Sequence, residues 1–294
     1  MLAARRGAVI VIEVESRRGR RAAERREVSP GGAALRALRE RAGRTQLWVE
    51  AEADLGTGYL QRLECGRVTQ PVRATVERIL AALGARYSER REVLELFGYT
   101  VTTPLPDEEE IIWATVTARR ELHDAAFPVY LLDCAHRLIA WNRFVPALFG
   151  LAASEEGIGR LARRSLPSLW FDPASPLAAL VAEPAAFLPA LVRAFRYEMQ
   201  LFRAETWYPP LFAELWALPL FRRAWTLVER EPATAGAARA LVPVRLAVPG
   251  AGTLQFRLSS EHFTRDTRFR LVNFFPADPA TMRWCAGPAQ GGLG

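Results

Sequence analysis

Between Arg44 and Arg67 the chain reads RTQLWVEAEADLGTGYLQRLECGR, and this stretch narrows the choice of fold more than any other. Val49, Ala53, Leu55, Leu60 and Leu63 recur at helical spacing on both sides of Asp54 to Gly56. Two short helices that share one apolar seam, with the chain reversing between them, satisfy that pattern. Thr45 is suited to cap the first helix, which sets Gln46 at a helix N-terminus, where amide groups and dipole favour a phosphate. On the second helix Thr57, Gly58, Gln61 and Arg62 fall away from the seam, an exposed face of the kind a recognition helix presents. A helical hairpin with no ligand is the plainer alternative.

The surrounding text extends this pair into a compact all-helical domain. Five amphipathic segments run over Ala33 to Arg41, Thr45 to Ala53, Thr57 to Glu64, Pro71 to Leu83 and Ser88 to Phe97. TVTTPLP at 100 to 106 is β-branched and broken by proline, so it reads as a linker, and Asp107 caps a new helix. Beyond it, VYLLD and RLIAW are apolar runs joined by a Cys-Ala-His turn and followed by a helical NRFVPALFG. Residues 154 to 230 read as helical and aromatic. LVPVRLAV, TLQFRLSS and RFRLVNFF then supply three more strands, the first two joined by a PGAG hairpin turn. Five antiparallel strands split two and three imply an α+β fold with helices on one face.

The 294 residues are more than one compact core needs. Every basic residue is arginine, and of the net charge of +7, residues 1 to 31 contribute +4. A polyanion would dock on that first third, although RRGRRAAERR is more simply a solvated run: a mobile basic arm, or residues upstream of the true start. Cys65, Cys134 and Cys285 are few, scattered and without a CxxC pair, which argues against disulfide frameworks and zinc knuckles and for a cytoplasmic protein. The apolar text at 176 to 195 is interrupted by Glu183, Pro184 and Pro189, so no membrane span is expected. His123, His136 and His262 form no HExxH pair, there is no GxSxG elbow, and GIGRLA at 157 to 162 follows helical text where a dinucleotide site needs a strand. The chain therefore reads as a non-enzyme without metal. DEEE at 107 to 110 suits the dipole of a first helical turn.

LRALRERAGRTQ, GYLQRLECGR and VERILAALG, between Leu35 and Leu83, resemble the lambda-repressor-like helix-turn-helix domain of the Xre type. That resemblance implies double-stranded DNA as partner. Gln46 would touch backbone phosphate, Thr57, Gly58 and Arg62 would approach base edges, and Gln61 and Arg67 would complete the face. The family's turn carries Gly where this chain has Asp54, and Ser or Thr where it has Gly56; an Asp54 near DNA would repel phosphate. PVYLLDCAHRLIAWNRFVPALFG with its Trp141-Asn142 pair, FRRAW at 221 to 225 and RFRLVNFFPADP resemble the C-terminal ligand-binding domain of MmyB-like transcription regulators, whose fold is PAS-like.

Leu188, Leu191, Val192, Phe195, Met199 and Phe202 step by three and four along one face, and six further aromatics follow between Trp207 and Trp225. This is core, or core plus a cavity. With the resemblance, the expected site lies between Trp141, Leu191, Phe195, Met199 and Phe202 and the strand residues Phe256, Leu258 and Phe274. It would hold a small apolar ligand such as a fatty acid, with Arg196 and Arg203 meeting its carboxylate and no other cofactor. Ile111, Ile112, Thr115, Val116, Arg119 and Leu122 form a stripe expected to hold a homodimer. The whole reads as α+β: a basic arm (1–31), a five-helix helix-turn-helix domain (32–98), a linker and connecting helix (99–125), a PAS-like domain with a five-stranded antiparallel sheet and helices (126–283), and a tail (284–294). A ligand-responsive, sequence-specific transcription regulator fits best; the competing reading is a DNA-binding scaffold whose C-terminal domain only dimerises or binds a protein.

Overall fold

The computed structural model describes residues 29–149, 161–232 and 242–287. Most of the N-terminal basic arm and most of GIGRLA lie outside the described residues. The chain divides into two compact units, one of residues up to Ala85 with Glu92–Thr100, the other of Arg86–Arg91 with Val101 onward.

The first unit is helical: α1 (Pro30–Arg41), α2 (Gln46–Glu52), α3 (Tyr59–Glu64) and α4 (Arg73–Ala82), with the later part of α5 (Tyr87–Leu96). Pro30 opens α1 and the Ser29 hydroxyl accepts from the Gly32 N–H at 3.1 Å. The seam is the core: Val49, Ala53, Leu60 and Leu63 are buried with Leu35, Val76, Ile79 and Leu80. Helix α1 can approach α3 only because Gly32 has no side chain, since a Cβ there would stand 2.4 Å from the Leu63 carbonyl oxygen.

The second unit contains α6 (Glu108–Asp124), β1 (Val129–Leu132), β2 (Leu138–Trp141), α7 (Phe144–Leu148), α8 (Leu166–Phe171), α9 (Pro176–Leu180) and α10 (Pro184–Glu198). A 3-10 turn over Met199–Phe202, α11 (Tyr208–Ala217), α12 (Pro219–Val228), β3 (Val242–Val248), β4 (Gly252–His262), β5 (Arg270–Pro276) and α13 (Pro279–Ala286) complete it. The sheet order is β2-β1-β5-β4-β3, antiparallel throughout. All five strands expected from the sequence are present, with the β3–β4 turn at the PGAG.

Three features depart from the sequence reading. Helices cover both faces of the sheet: α6 packs Ile111, Ala114, Ala118 and Leu122 on Val129, Leu131 and Leu271, while Tyr130, Leu132, Val272 and Phe274 face α10 and its neighbours. Strand β1 is apolar on both faces, which is why it lacks alternation. The segment expected as a linker is partly tied down, because buried Thr103 donates its N–H to Glu205 at 2.8 Å and its carbonyl accepts from the Trp207 indole at 2.7 Å. The expected tail begins inside a helix: α13 runs to Ala286 and buries Cys285.

Two polar devices brace the sheet. Asp133 closes the β1–β2 turn, accepting from the Ala135 and Arg137 N–H groups at 2.9 Å each, and His136 there takes a left-handed φ of 58°. Asp107 and Glu110 form a reciprocal capping box on α6.

Candidate DNA-reading face and ligand cavity

The turn between α2 and α3 is built around two buried carboxylates that sequence reasoning passed over. Glu50 of α2 is 4% exposed, and its oxygens accept from the N–H groups of Gly58 at 3.0 Å and Leu60 at 2.8 Å. Gly58, at a left-handed φ of 78°, gives α3 no side-chain cap, so Glu50 caps it from the neighbouring helix. Glu64 closes the other end of α3: Arg39 grips it through Nε and a terminal nitrogen at 2.7 and 2.9 Å, and the Gln46 amide donates to it at 2.7 Å. The available signal was phase, since Glu50 stands three residues before Ala53 and Glu64 four after Leu60.

The expected DNA-binding residues of the turn and of α3 lie at or near the surface. Thr57, Gln61, Arg62 and Arg67 are exposed, and Gly58 is half-buried at the head of α3. Arg62 lies over the Tyr59 ring, 5.9 Å from its centroid, a contact that limits its wandering. Thr45 caps α2 by accepting from the Trp48 N–H at 3.1 Å. Gln46 opens α2 as expected, and its side-chain nitrogen donates to Glu64. Asp54 has a left-handed φ of 51°, the backbone that favours Gly at this turn, and its carboxylate lies 3.5 Å from Arg78.

In the second unit a cavity of about 90 Å³ opens between β4, β5 and β1 on one side and α8 and α10 on the other. Leu191 and Phe195 border it with Trp170, Leu258 and Val272, so the expected α10 face does meet the sheet. Other expected ligand residues stand elsewhere. Met199, Phe256 and Phe274 are buried in the core, Phe202 packs against Trp207 with the two rings tilted, and Trp141 borders a separate groove with Thr115 and Arg119. Neither expected carboxylate partner reaches the cavity. Arg196 turns the other way, over the Trp225 ring, and donates to the carbonyls of Val228, Glu229 and Glu231, where the end of α12 leaves acceptors free. Arg203 is exposed.

The arginine that does line the cavity is Arg270 on β5, buried with His136 and beside Glu198 at the C-terminal end of α10. One terminal nitrogen of Arg270 donates to Glu198 and the other to His136 Nε2 at 2.8 Å. A guanidinium has no acceptor, so His136 Nε2 accepts and its ring proton belongs on Nδ1. The 3.1 Å approach of Glu198 to the same nitrogen is then a close contact spanned by the shared guanidinium and is not a second hydrogen bond. Burial and the Arg270 charge together hold the His136 pKa below its ordinary value. Burial pushes the Glu198 carboxyl up, but the Arg270 charge outweighs it and brings it down to about 2. Alternation in RFRLVNFF carried the clue, because Arg270 is in phase with Val272 and Phe274 on the inward face.

Among the described residues no group of His, Cys, Asp and Glu is placed to hold a metal ion, and no helix is long and apolar enough to cross a membrane.

A family model described as a helix-turn-helix domain matches residues 32–93, and one described as the MmyB-like transcription regulator ligand binding domain matches residues 114–286. No curated protein matches. A solved structure described as "Structure of an RNA-binding Light-Oxygen-Voltage Receptor" is 16% identical, covering 96% of this chain and 67% of that chain, with a TM-score of 0.24; a likeness that weak bears on neither fold nor function. Since the ligand-binding-domain model spans more than half of a chain that also carries a helix-turn-helix domain, the chain belongs to the MmyB-like transcription regulators.

Proposed function

We propose that this DNA-binding regulator reads a specific duplex sequence through the exposed face of α3 and responds to a small, mainly apolar ligand held in the cavity between the sheet and α10. The observation that carries the first half is the pairing of a rigidly capped α3 with an outward row of Thr57, Gln61 and Arg62. Arg62 and Arg67 supply donors for base edges and phosphate. Selection from random duplexes should enrich one motif. Arg62→Ala should then cost about 1–3 kcal/mol on that motif and relax one base position. Failure to enrich any motif would remove the sequence-specific reading.

The second half rests on a partly open cavity lined mainly by apolar side chains, with His136, Glu198 and Arg270 also in its lining. A fatty chain suits such a lining. The enclosed volume is smaller than an engineered cavity of about 150 Å³ that admits benzene, so only a short length of chain would be enclosed. Affinity should therefore rise by about 0.8 kcal/mol per methylene over the first few carbons and then level off. Ala194 borders the cavity, and Ala194→Leu should abolish this binding while the protein stays folded. Calorimetric titration of both proteins with a homologous series checks it; equal binding by the variant would place the ligand elsewhere.

One short recognition helix reads few bases, so the regulator acts as a homodimer on two half-sites about one helical turn apart. Of the α6 stripe, Ile111 and Leu122 are buried against the sheet, whereas Ile112 and Val116 are 56% and 54% exposed and one turn apart, which leaves them free for a partner copy.

A further inference from the structure

Helix α6 carries a row of side chains at heptad spacing that the sheet does not use. Glu109, Ile112, Val116 and Arg119 step by three, four and three, which lines them up along one side of the helix. The row packed on the sheet is a different one, Ile111, Ala114, Ala118 and Leu122. The Glu109 side chain is 87% exposed and stands 3.9 Å from Arg86, the outer limit of an ion pair. Arg119 is exposed and has no ion pair among the described residues. The free row thus has an apolar middle, a negative end and a positive end. Its positive end borders a groove of about 330 Å³ in which Arg119, His123 and Arg143 lie beside Trp141, and no carboxylate enters the lining among the described residues. Asp124, at the end of α6, lies against Arg120 and His123.

The row is complementary to itself when turned end for end. Ile112 with Val116, and Glu109 with Arg119, are both centred on Ala114. A two-fold axis at that level, with two copies of α6 antiparallel, sets Ile112 on Val116 of the second copy and Glu109 on Arg119 of the second copy, and the symmetry repeats each contact. A parallel pair would instead set Glu109 on Glu109 and Arg119 on Arg119. Exposed ion pairs add little affinity, whereas like charges held opposite one another oppose docking. The apolar middle therefore supplies the contact and the charged ends choose its direction. We infer that the homodimer forms through antiparallel α6 helices, with Glu109 of each copy meeting Arg119 at the mouth of the other copy's basic groove. This rests on α6 being the dimer contact, as proposed above, and adds its direction and register.

Charge reversal reads the direction. In sedimentation equilibrium of the whole protein at low salt, Glu109→Arg faces Arg119 of the second copy at both ends of the contact and should raise the dimer dissociation constant by about fivefold or more. Arg119→Glu should do the same, and the two changes in one chain should restore the dimer to within about twofold. Parallel helices give no such rescue, because each reversal only exchanges one like-charged pair for another. Cysteines give a second reading on a Cys65→Ser background. Antiparallel helices bring Glu109→Cys of one copy against Arg119→Cys of the other, so an oxidised mixture of the two proteins should cross-link. Glu109→Cys alone should not, its two copies lying about 15 Å apart along the helix. Single reversals without effect, a double variant as weak as the singles, or cross-linking of Glu109→Cys alone would overturn the antiparallel pairing. If Ile112→Glu with Val116→Glu still yields a monomer in that case, α6 stands as the dimer contact. An unaltered protein that is monomeric removes both.

Discussion

Glu50 illustrates how one buried side chain orders the head of a helix it does not belong to. Its carboxylate takes two backbone N–H groups at the head of α3, one of them from buried Leu60. Glu50→Ala strands both, and an unsatisfied buried donor costs about 1–3 kcal/mol. Glu50→Gln keeps an acceptor oxygen and should cost less than the alanine change; urea melts of the two variants give that order. His136 sets a second residue-level expectation. Its pKa is lowered in the fold, from 6.5 in a free chain, so on acidification the unfolded chain takes up a proton that the folded chain does not. Stability present above about pH 6.5 should decline as the pH falls below it. His262, also lowered by burial and the Arg270 charge, acts in the same direction. His136→Asn suits the left-handed turn at this position and should flatten part of that slope. Melting temperatures read across this range, in the variant and the unaltered protein, check the sign.

At the level of elements, the helix-turn-helix fold depends on how closely α1 sits on α3. Gly32 sits where a Cβ would press on the Leu63 carbonyl oxygen and come within 3.3 Å of the Glu64 Cα, both backbone atoms that cannot swing aside. Gly32→Ala should therefore push the helices apart and destabilise the protein by about 1–3 kcal/mol, despite alanine's better helix propensity. Thermal melting reads this directly, and a stabilised variant would show that α1 can slide without cost. Helix positions were readable from capping and periodicity: Thr45 and Asp107 each cap the helix that follows. The two-sided cover of the sheet was not readable, because a strand apolar on both faces has the same text whether a helix or solvent-side packing completes its second face.

For the molecule as a whole, the expected signature is a dimer that depends on α6. Ile112→Glu with Val116→Glu places charges on exposed positions where the monomer loses little. Light scattering should show a dimer for the unaltered protein and a monomer for the double variant, with palindromic DNA bound more weakly. A monomer in both would remove α6 as the dimer contact. The coupling of ligand to DNA then requires the ligand to favour one arrangement of the paired domains, since equal affinity for both shifts nothing.

Local order in the chain was enough to establish the five helices of the reading domain, the five strands, the PGAG hairpin and the outward row from Thr57 to Arg62. Each follows from spacing, caps and turn residues that act within a few positions of one another. The partners of the buried charges were a matter of three-dimensional packing. Gln46 donates to Glu64; Arg196 was expected at a carboxylate and caps α12; Arg270 and His136, 134 residues apart, meet at the cavity. A charged side chain taken out of water must find its counterpart wherever folding brings one within reach, and the distance along the chain between the two places no limit on that choice.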